Sequence, residues 1–208
     1  MESNTTKRRL VGILGGTFDP IHYGHLGCAR AAYESLGLDE VWLVPTGRSY
    51  FKTRLNLHVS EPEHRLAMTK LAAEGVPYLR VSDIEMQREG DTYTADTLRI
   101  LTEAYPDTDF YYIVGADTLI HMGSWHDPEG VFSRCTIVVI TRSDTEEETL
   151  QEAIEDLTAR FSARIVPVAI ENIDISSSEV RRRVEAGESI SAMVPAAVEE
   201  YIREKKLY

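Results

Sequence analysis

The stretch Gly15-Gly16-Thr17-Phe18-Asp19-Pro20-Ile21-His22-Tyr23-Gly24-His25 decides how this chain folds. An apolar run over 10–14 leads into the two glycines, and an apolar-periodic segment over 26–36 follows the histidines. Those patterns predict a strand, a tight turn and a helix, in that order. Glycine lets the backbone approach a ligand closely, and the free N–H groups of a helix start attract anions. His22 and His25 stand at i and i+3, so both rings can share one helical face. The segment is suited to a phosphate, with two imidazoles aimed at the group that gains charge during reaction.

Outward from this segment, apolar runs alternate with helical patterns. Strands are predicted over 9–14, 41–45, 79–82, 110–114, 136–141 and 164–168. Helices are predicted over 25–35, 62–74, 95–104, 127–132, 147–161, 177–186 and 195–204. The alternation implies an α/β fold, a Rossmann-like parallel sheet with helices on both faces. The run Thr136-Ile137-Val138-Val139-Ile140-Thr141 is apolar without alternation, as expected of a central strand covered on both sides. Ligands of such sheets bind beyond the carboxyl ends of the strands. The Gly15–His25 turn, Pro45-Thr46-Gly47, Gly115-Ala116-Asp117 and Thr141-Arg142 each follow a predicted strand and should converge on one rim. The expectation is a single domain over 1–208, with a polar tail at 1–8 and a small C-terminal helical appendage at 170–208. The acidic run over 144–148 reads as a solvated helix start.

The 208 residues are 43% hydrophobic and 27% charged, ordinary for a globular chain with a sizeable core. A net charge of −12 argues against a general nucleic-acid binder. An anionic substrate must then be held by local donors or brought in with a cation. Cys28 and Cys135, the only cysteines, read as small packed hydrophobes and fit a reducing compartment. Residues 1–9 lack the apolar centre of a signal peptide, and no apolar run approaches the ~20 residues that cross a bilayer. A cytoplasmic protein without membrane partners is expected, and a homo-oligomer is compatible with the sequence.

His22 and His25 also admit plainer readings: a core histidine, a helix-end hydrogen bond, or two metal ligands. Zinc needs a third ligand, and no Cys or carboxylate stands at ligand spacing, so no protein metal site is expected. Thr17 and Asp19 can hold the turn through side-chain-to-backbone bonds. The segment resembles the opening GxFDPxHxGH signature of the (H/T)xGH nucleotidyltransferases. Ile175-Ser176-Ser177-Ser178-Glu179-Val180-Arg181 is similar to that family's ISxTxxR element, with Ser178 in the threonine place. Read alone, Ser176 and Glu179 have the spacing of a capping box, and a well-capped surface helix competes with a triphosphate grip. Arg181, Arg182 and Arg183 point about 100° apart on a helix, so Arg181 is assigned to phosphate and the others to solvent or acidic surface.

Within that superfamily the chain resembles the nicotinate-nucleotide adenylyltransferases nearly end to end. The resemblance extends through Glu63-His64-Arg65-Leu66, Tyr93-Thr94-Ala95-Asp96-Thr97-Leu98, Gly115-Ala116-Asp117, Trp125-His126, Val194-Pro195, Tyr201-Ile202 and Leu207-Tyr208. It implies transfer of AMP from ATP to nicotinic acid mononucleotide, giving deamido-NAD and pyrophosphate, with Mg²⁺ bridging the phosphates. His22, His25 and Arg181 are the expected catalytic residues. Gly15, Gly16, Thr17, Phe18, Gly115, Asp117, Ser176 and Ser178 are expected to line the ATP site, and Lys52, Tyr93, Thr94, Trp125 and Arg142 the acceptor site. Each has a structural alternative: Thr94 an ordinary N-cap, Trp125 a core anchor, Asp117 the cap of a helix at Thr118, Arg142 a salt bridge. The loop over 46–60 is basic through Arg48, Lys52 and Arg54. It reads Ser49-Tyr50-Phe51-Lys52 where many relatives carry a proline pair followed by His-Lys, which bears on acceptor choice. Nicotinamide mononucleotide or another phosphate ester is the alternative acceptor. A catalytically silent nucleotide sensor is the alternative of another class, and a metal-dependent hydrolase the third.

Overall fold

Six parallel strands and the helices between them make up the computed structural model, which describes residues 7–49, 59–142, 147–171 and 174–208. The strands are β1 (Arg9–Gly16), β2 (Glu40–Pro45), β4 (Leu79–Val81), β6 (Thr108–Gly115), β7 (Cys135–Thr141) and β8 (Ile165–Ala169). They lie in the order β4-β2-β1-β6-β7-β8. Successive strands step one way from β1 to β4 and then return to the other side of β1 at β6. The crevice between β1 and β6 is therefore the switch point, where α/β sheets hold ligands. A short pair outside this sheet, β3 (Arg48–Ser49) with β5 (Asp91–Thr92), was not foreseen. Two-residue strands carry no hydrophobic period for a pattern to find.

Period-two alternation sorts each strand between two cores. Val11 and Ile13 of β1 face one cluster and Leu14 the other, while β7 sends Ile137 and Val139 one way and Val138 and Ile140 the other. One face is covered by α1 (Tyr23–Leu36), α2 (Pro62–Ala73), α7 (Ser177–Glu185) and α8 (Ala196–Lys205), through Ala29, Met68, Val180 and Ile202 among others. The opposite face is covered by α3 (Thr94–Ala104), α4 (Ala116–Leu119), a 3₁₀ turn (Met122–Ser124), α5 (Pro128–Phe132) and α6 (Glu147–Phe161). The predicted helical part at 170–208 thus supplies α7 and α8 to the same buried cluster as α1. None of the described helices is long and apolar enough to cross a membrane.

Local chemistry explains the helix limits. Gly37 ends α1 in the left-handed region at φ 59. Pro62 opens α2, where its missing N–H is not needed. Asp127 caps α5 by accepting from the Gly130 N–H at 3.0 Å.

Ile137 is fully buried at the centre of β7. Ile137→Ala should lower the unfolding free energy by about 2–5 kcal/mol in a urea titration, the usual range for truncating a core isoleucine. A loss below about 1 kcal/mol would contradict that burial.

Candidate active site

β1 runs through both glycines before the chain turns. A Cβ on Gly15 would stand 2.8 Å from the Tyr112 hydroxyl, and one on Gly16 would stand 2.6 Å from the Phe18 ring. These glycines therefore make room for the protein's own aromatic rings, a need that the sequence reading assigned to a ligand. Phe18 sits in the left-handed region at φ 50 and is buried, an uncommon backbone state for a bulky residue. Its ring meets His25 edge-on, with centroids 5.0 Å apart.

The histidines are together, as their spacing requires. His22 is the N-cap of α1 in extended conformation, and His25 lies on the first turn. Their ring centroids are 3.8 Å apart and the planes differ by 30°. The His22 N–H donates to Nδ1 of His25 at 3.3 Å. An accepting Nδ1 leaves the proton of a neutral His25 on Nε2, at the far side of the ring. His22 is only 5% exposed, and its Nδ1 is buried with no hydrogen-bond partner among the described residues. Burial, with the Arg142 charge second, lowers its pKa to about 4 and keeps the ring neutral at physiological pH. A Cβ on Gly24 would stand 3.0 Å from the His22 ring, so a side chain there would crowd it.

The element near the other end of the chain folds onto this turn. Ser176 caps α7 by accepting from the Glu179 N–H at 3.2 Å. Glu179 does not return the favour as a capping box would; its carboxylate binds Arg182 and Arg183, which hold its pKa near 2. Those two arginines also pair with Glu188, in keeping with the expected surface role. Arg181 points the other way. Its Nη1 donates to the Asp19 carbonyl at 2.6 Å and its Nη2 to Ser178 Oγ at 3.2 Å. Ser177 Oγ donates to the Pro20 carbonyl at 2.9 Å.

Two further residues hold the turn, and the sequence reading gave neither a role. Arg65, buried on α2, donates to the carbonyls of Ser60, Thr17, Thr46 and Gly47 at 2.7–3.1 Å. Tyr208 donates its hydroxyl to Asp19 Oδ1 at 2.6 Å, while the Ser60 N–H reaches Asp19 Oδ2 at 3.2 Å. Both stand in segments that carry the family resemblance, with no spacing of their own to mark their partners. Asp19 holds the turn, as expected, but through partners remote in sequence.

Further along the rim, Gly115 ends β6, and a Cβ there would meet nothing within 4 Å. Asp117 is exposed inside α4, whose N-cap is Gly115, so its capping alternative fails. The N-cap of α3 is Tyr93 and not Thr94. Thr94 stands first in the helix with its hydroxyl 3.3 Å from that of Tyr112. Trp125 is half-buried and sits edge-on to Tyr112 at 6.3 Å. Tyr93 stacks loosely on His126, with centroids 4.3 Å apart. Beneath them Glu85 is buried, accepts from Thr97 Oγ1 at 2.8 Å, and has its pKa raised chiefly by burial. Arg142, just past β7, acts electrostatically on His22 and on Cys28, which ties it to the histidine end of the rim. Lys52 lies outside the described residues.

The cytidylyltransferase-like family matches residues 13–183. A probable nicotinate-nucleotide adenylyltransferase of Lachnoclostridium phytofermentans is 42% identical over 200 residues, covering 96% of this chain and 99% of its own length. Its counterpart from Dehalococcoides mccartyi is 43% identical over 198 residues, covering 95% and 96%. The chain belongs to the nicotinate-nucleotide adenylyltransferase family. Nicotinic acid mononucleotide adenylyltransferase of Plasmodium falciparum, solved in complex with APC and with NaAD, has the same fold. The TM-scores are 0.76 and 0.75 at 22% and 23% identity, and each match covers 96% of this chain and 97% of that one. As an adenylyltransferase-family member, the chain carries its paired histidines at the switch point and its serine–arginine corner against the same turn.

The depressed pKa of His22 has a measurable sign. Between pH 6.5 and 4 the unfolded chain binds the proton that the folded ring refuses. Stability from this ring is full above pH 6.5 and is lost as pH falls towards 4, by about 3 kcal/mol at most. His22→Asn should therefore lose unfolding free energy less steeply than wild type over that interval in urea titrations. Parallel slopes would contradict the neutral buried ring.

Proposed function

We propose that this chain transfers the adenylyl group of ATP to nicotinic acid mononucleotide, giving deamido-NAD and releasing pyrophosphate. The observation that carries the reading is the closely paired His22–His25 rings at the start of α1, beside the β1/β6 crevice, in a chain with full-length adenylyltransferase relatives. The attacking atom is an acceptor phosphate oxygen, already anionic. It forms a bond to the α-phosphorus of ATP while the bond to the bridging oxygen breaks and its electron pair leaves with pyrophosphate. No proton has to be moved, so neutral imidazoles suffice. Donors placed around the α-phosphate, and in-line positioning, supply the rate.

His25 presents Nε2–H and His22 a neutral ring, both directed at α-phosphate oxygens in this reading. Arg181 and Ser178, already joined, meet the β and γ phosphates with Ser176 at the capped start of α7. Gly15, Gly16, Thr17 and Phe18 shape the wall behind the α-phosphate, and Gly115 and Asp117 face the ribose. Tyr93, Thr94 and Trp125 take the pyridine. The first turn of α3 offers backbone N–H groups and a favourable dipole for its carboxylate, which supports the acid over the amide. Arg142 and Lys52 are the cations assigned to the acceptor phosphate. Mg²⁺ carried on the triphosphate would offset part of its charge, and an ion of this kind commonly keeps phosphate oxygens and water among its ligands.

His25→Ala should lower kcat by about 10²-fold or more, the scale of losing one transition-state donor, with pyrophosphate release as the assay. Near-native turnover would remove His25 from the mechanism. A panel of acceptors assayed with ATP should show nicotinic acid mononucleotide preferred. Preference for the amide would reassign the pocket, and tight ATP binding without pyrophosphate release from any acceptor would make the protein a sensor.

A further inference from the structure

We propose that the hydroxyl of Tyr208 is a positioning group for adenylyl transfer, acting through Asp19 on the turn that presents both imidazoles and on the availability of Arg181. The inference rests on the proposed reaction for its kinetic readout. Asp19 is 2% exposed, and it lies in the tight turn between Phe18 and His22. A carboxylate so buried needs its oxygens satisfied, because an unpaired charge away from water is strongly unfavourable. Two donors do this: the Tyr208 phenol on Oδ1 at 2.6 Å and the Ser60 N–H on Oδ2 at 3.2 Å.

The third neighbour is Arg181. Its Nη1 lies 4.0 Å from Asp19 Oδ2 but donates, at 2.6 Å, to the Asp19 carbonyl. The guanidinium is thus held beside the carboxylate without a close ion pair, and it stays 28% exposed with its other arm on Ser178. Tyr208 makes this arrangement possible. With the phenol in place the carboxylate has its donors. Without it, the Ser60 hydroxyl beside the phenol offers only a neutral donor, and Arg65, which also feels the Asp19 charge, is committed to four carbonyls, so Arg181 at 4.0 Å is the cation left to be drawn in. The guanidinium would then be drawn inward, off Ser178 and away from the phosphate position, and the turn leading to His22 would shift with it. Burial and the bond to Asp19 raise the phenol's pKa well above the ordinary range, so its proton stays in place.

Tyr208→Phe keeps the ring and removes only the oxygen. Expected results are a kcat about 10-fold lower with KM for the acceptor within about 2-fold, on the scale of a small displacement of catalytic groups. The His22 and His25 ¹H–¹⁵N imidazole signals of the ligand-free protein should shift. Asp19→Asn is the second variant, because it leaves the phenol and its ring in place while removing the charge that attracts Arg181. In the Asp19→Asn background the further loss of the Tyr208 hydroxyl should change kcat by less than about 2-fold, since the two changes act on one interaction. Unmoved imidazole signals in both variants, or fully multiplicative kinetic losses, would overturn the proposal. The imidazole signals need no substrate. A wild-type protein inactive on nicotinic acid mononucleotide would therefore sink the proposed reaction alone, and the signals would still decide this inference.

Discussion

The buried guanidinium of Arg65 is the constraint from which the site is built. Taking an arginine out of water is expensive, and it is tolerated only where the donors find good acceptors. Here they find four carbonyls, those of Ser60, Thr17, Thr46 and Gly47. Thr17 follows β1, while Thr46 and Gly47 follow β2. One side chain therefore fastens two neighbouring strand ends to the start of α2. The left-handed Phe18 and the buried Asp19 follow directly on the carbonyl of Thr17 that this clamp holds.

On this frame the chemistry is local. The protein is acidic overall, so it offers an anionic substrate no long-range attraction. What it offers instead is a short list of fixed donors at a helix start, two neutral or partly exposed imidazoles, and one arginine steadied by a serine. Neutrality of His22 follows from burial, and Gly24 beside it leaves the ring its space. Donors that need no rearrangement when charge develops are the most effective kind.

Much of the fold was legible because long buried strands write their burial into composition. The unbroken apolar run of β7 and the alternation with helical patterns gave six strands and their parallel sense. The pairing of His22 with His25 was legible from spacing, and the approach of Arg181 from the second motif. Less was legible wherever a side chain bonds a carbonyl far away in the chain. Arg65 and Tyr208 have no period or spacing that would announce their partners, and only the folded chain brings them together. The cap alternatives weighed for Thr94 and Asp117 do not hold, since the N-caps fall on Tyr93 and Gly115, because a helix start tolerates several residue types. Glu179 matched a capping box in spacing, yet two nearby arginines compete for its carboxylate and win.

Part of the support for the Gly15–His25 turn comes from α7 and from Tyr208, through contacts between residues 157 to 189 apart in sequence. Contacts closed over so long a span form only once the intervening strands and helices have packed. Loosening α7 or the chain around Tyr208 would therefore be felt at the paired histidines, far away in sequence.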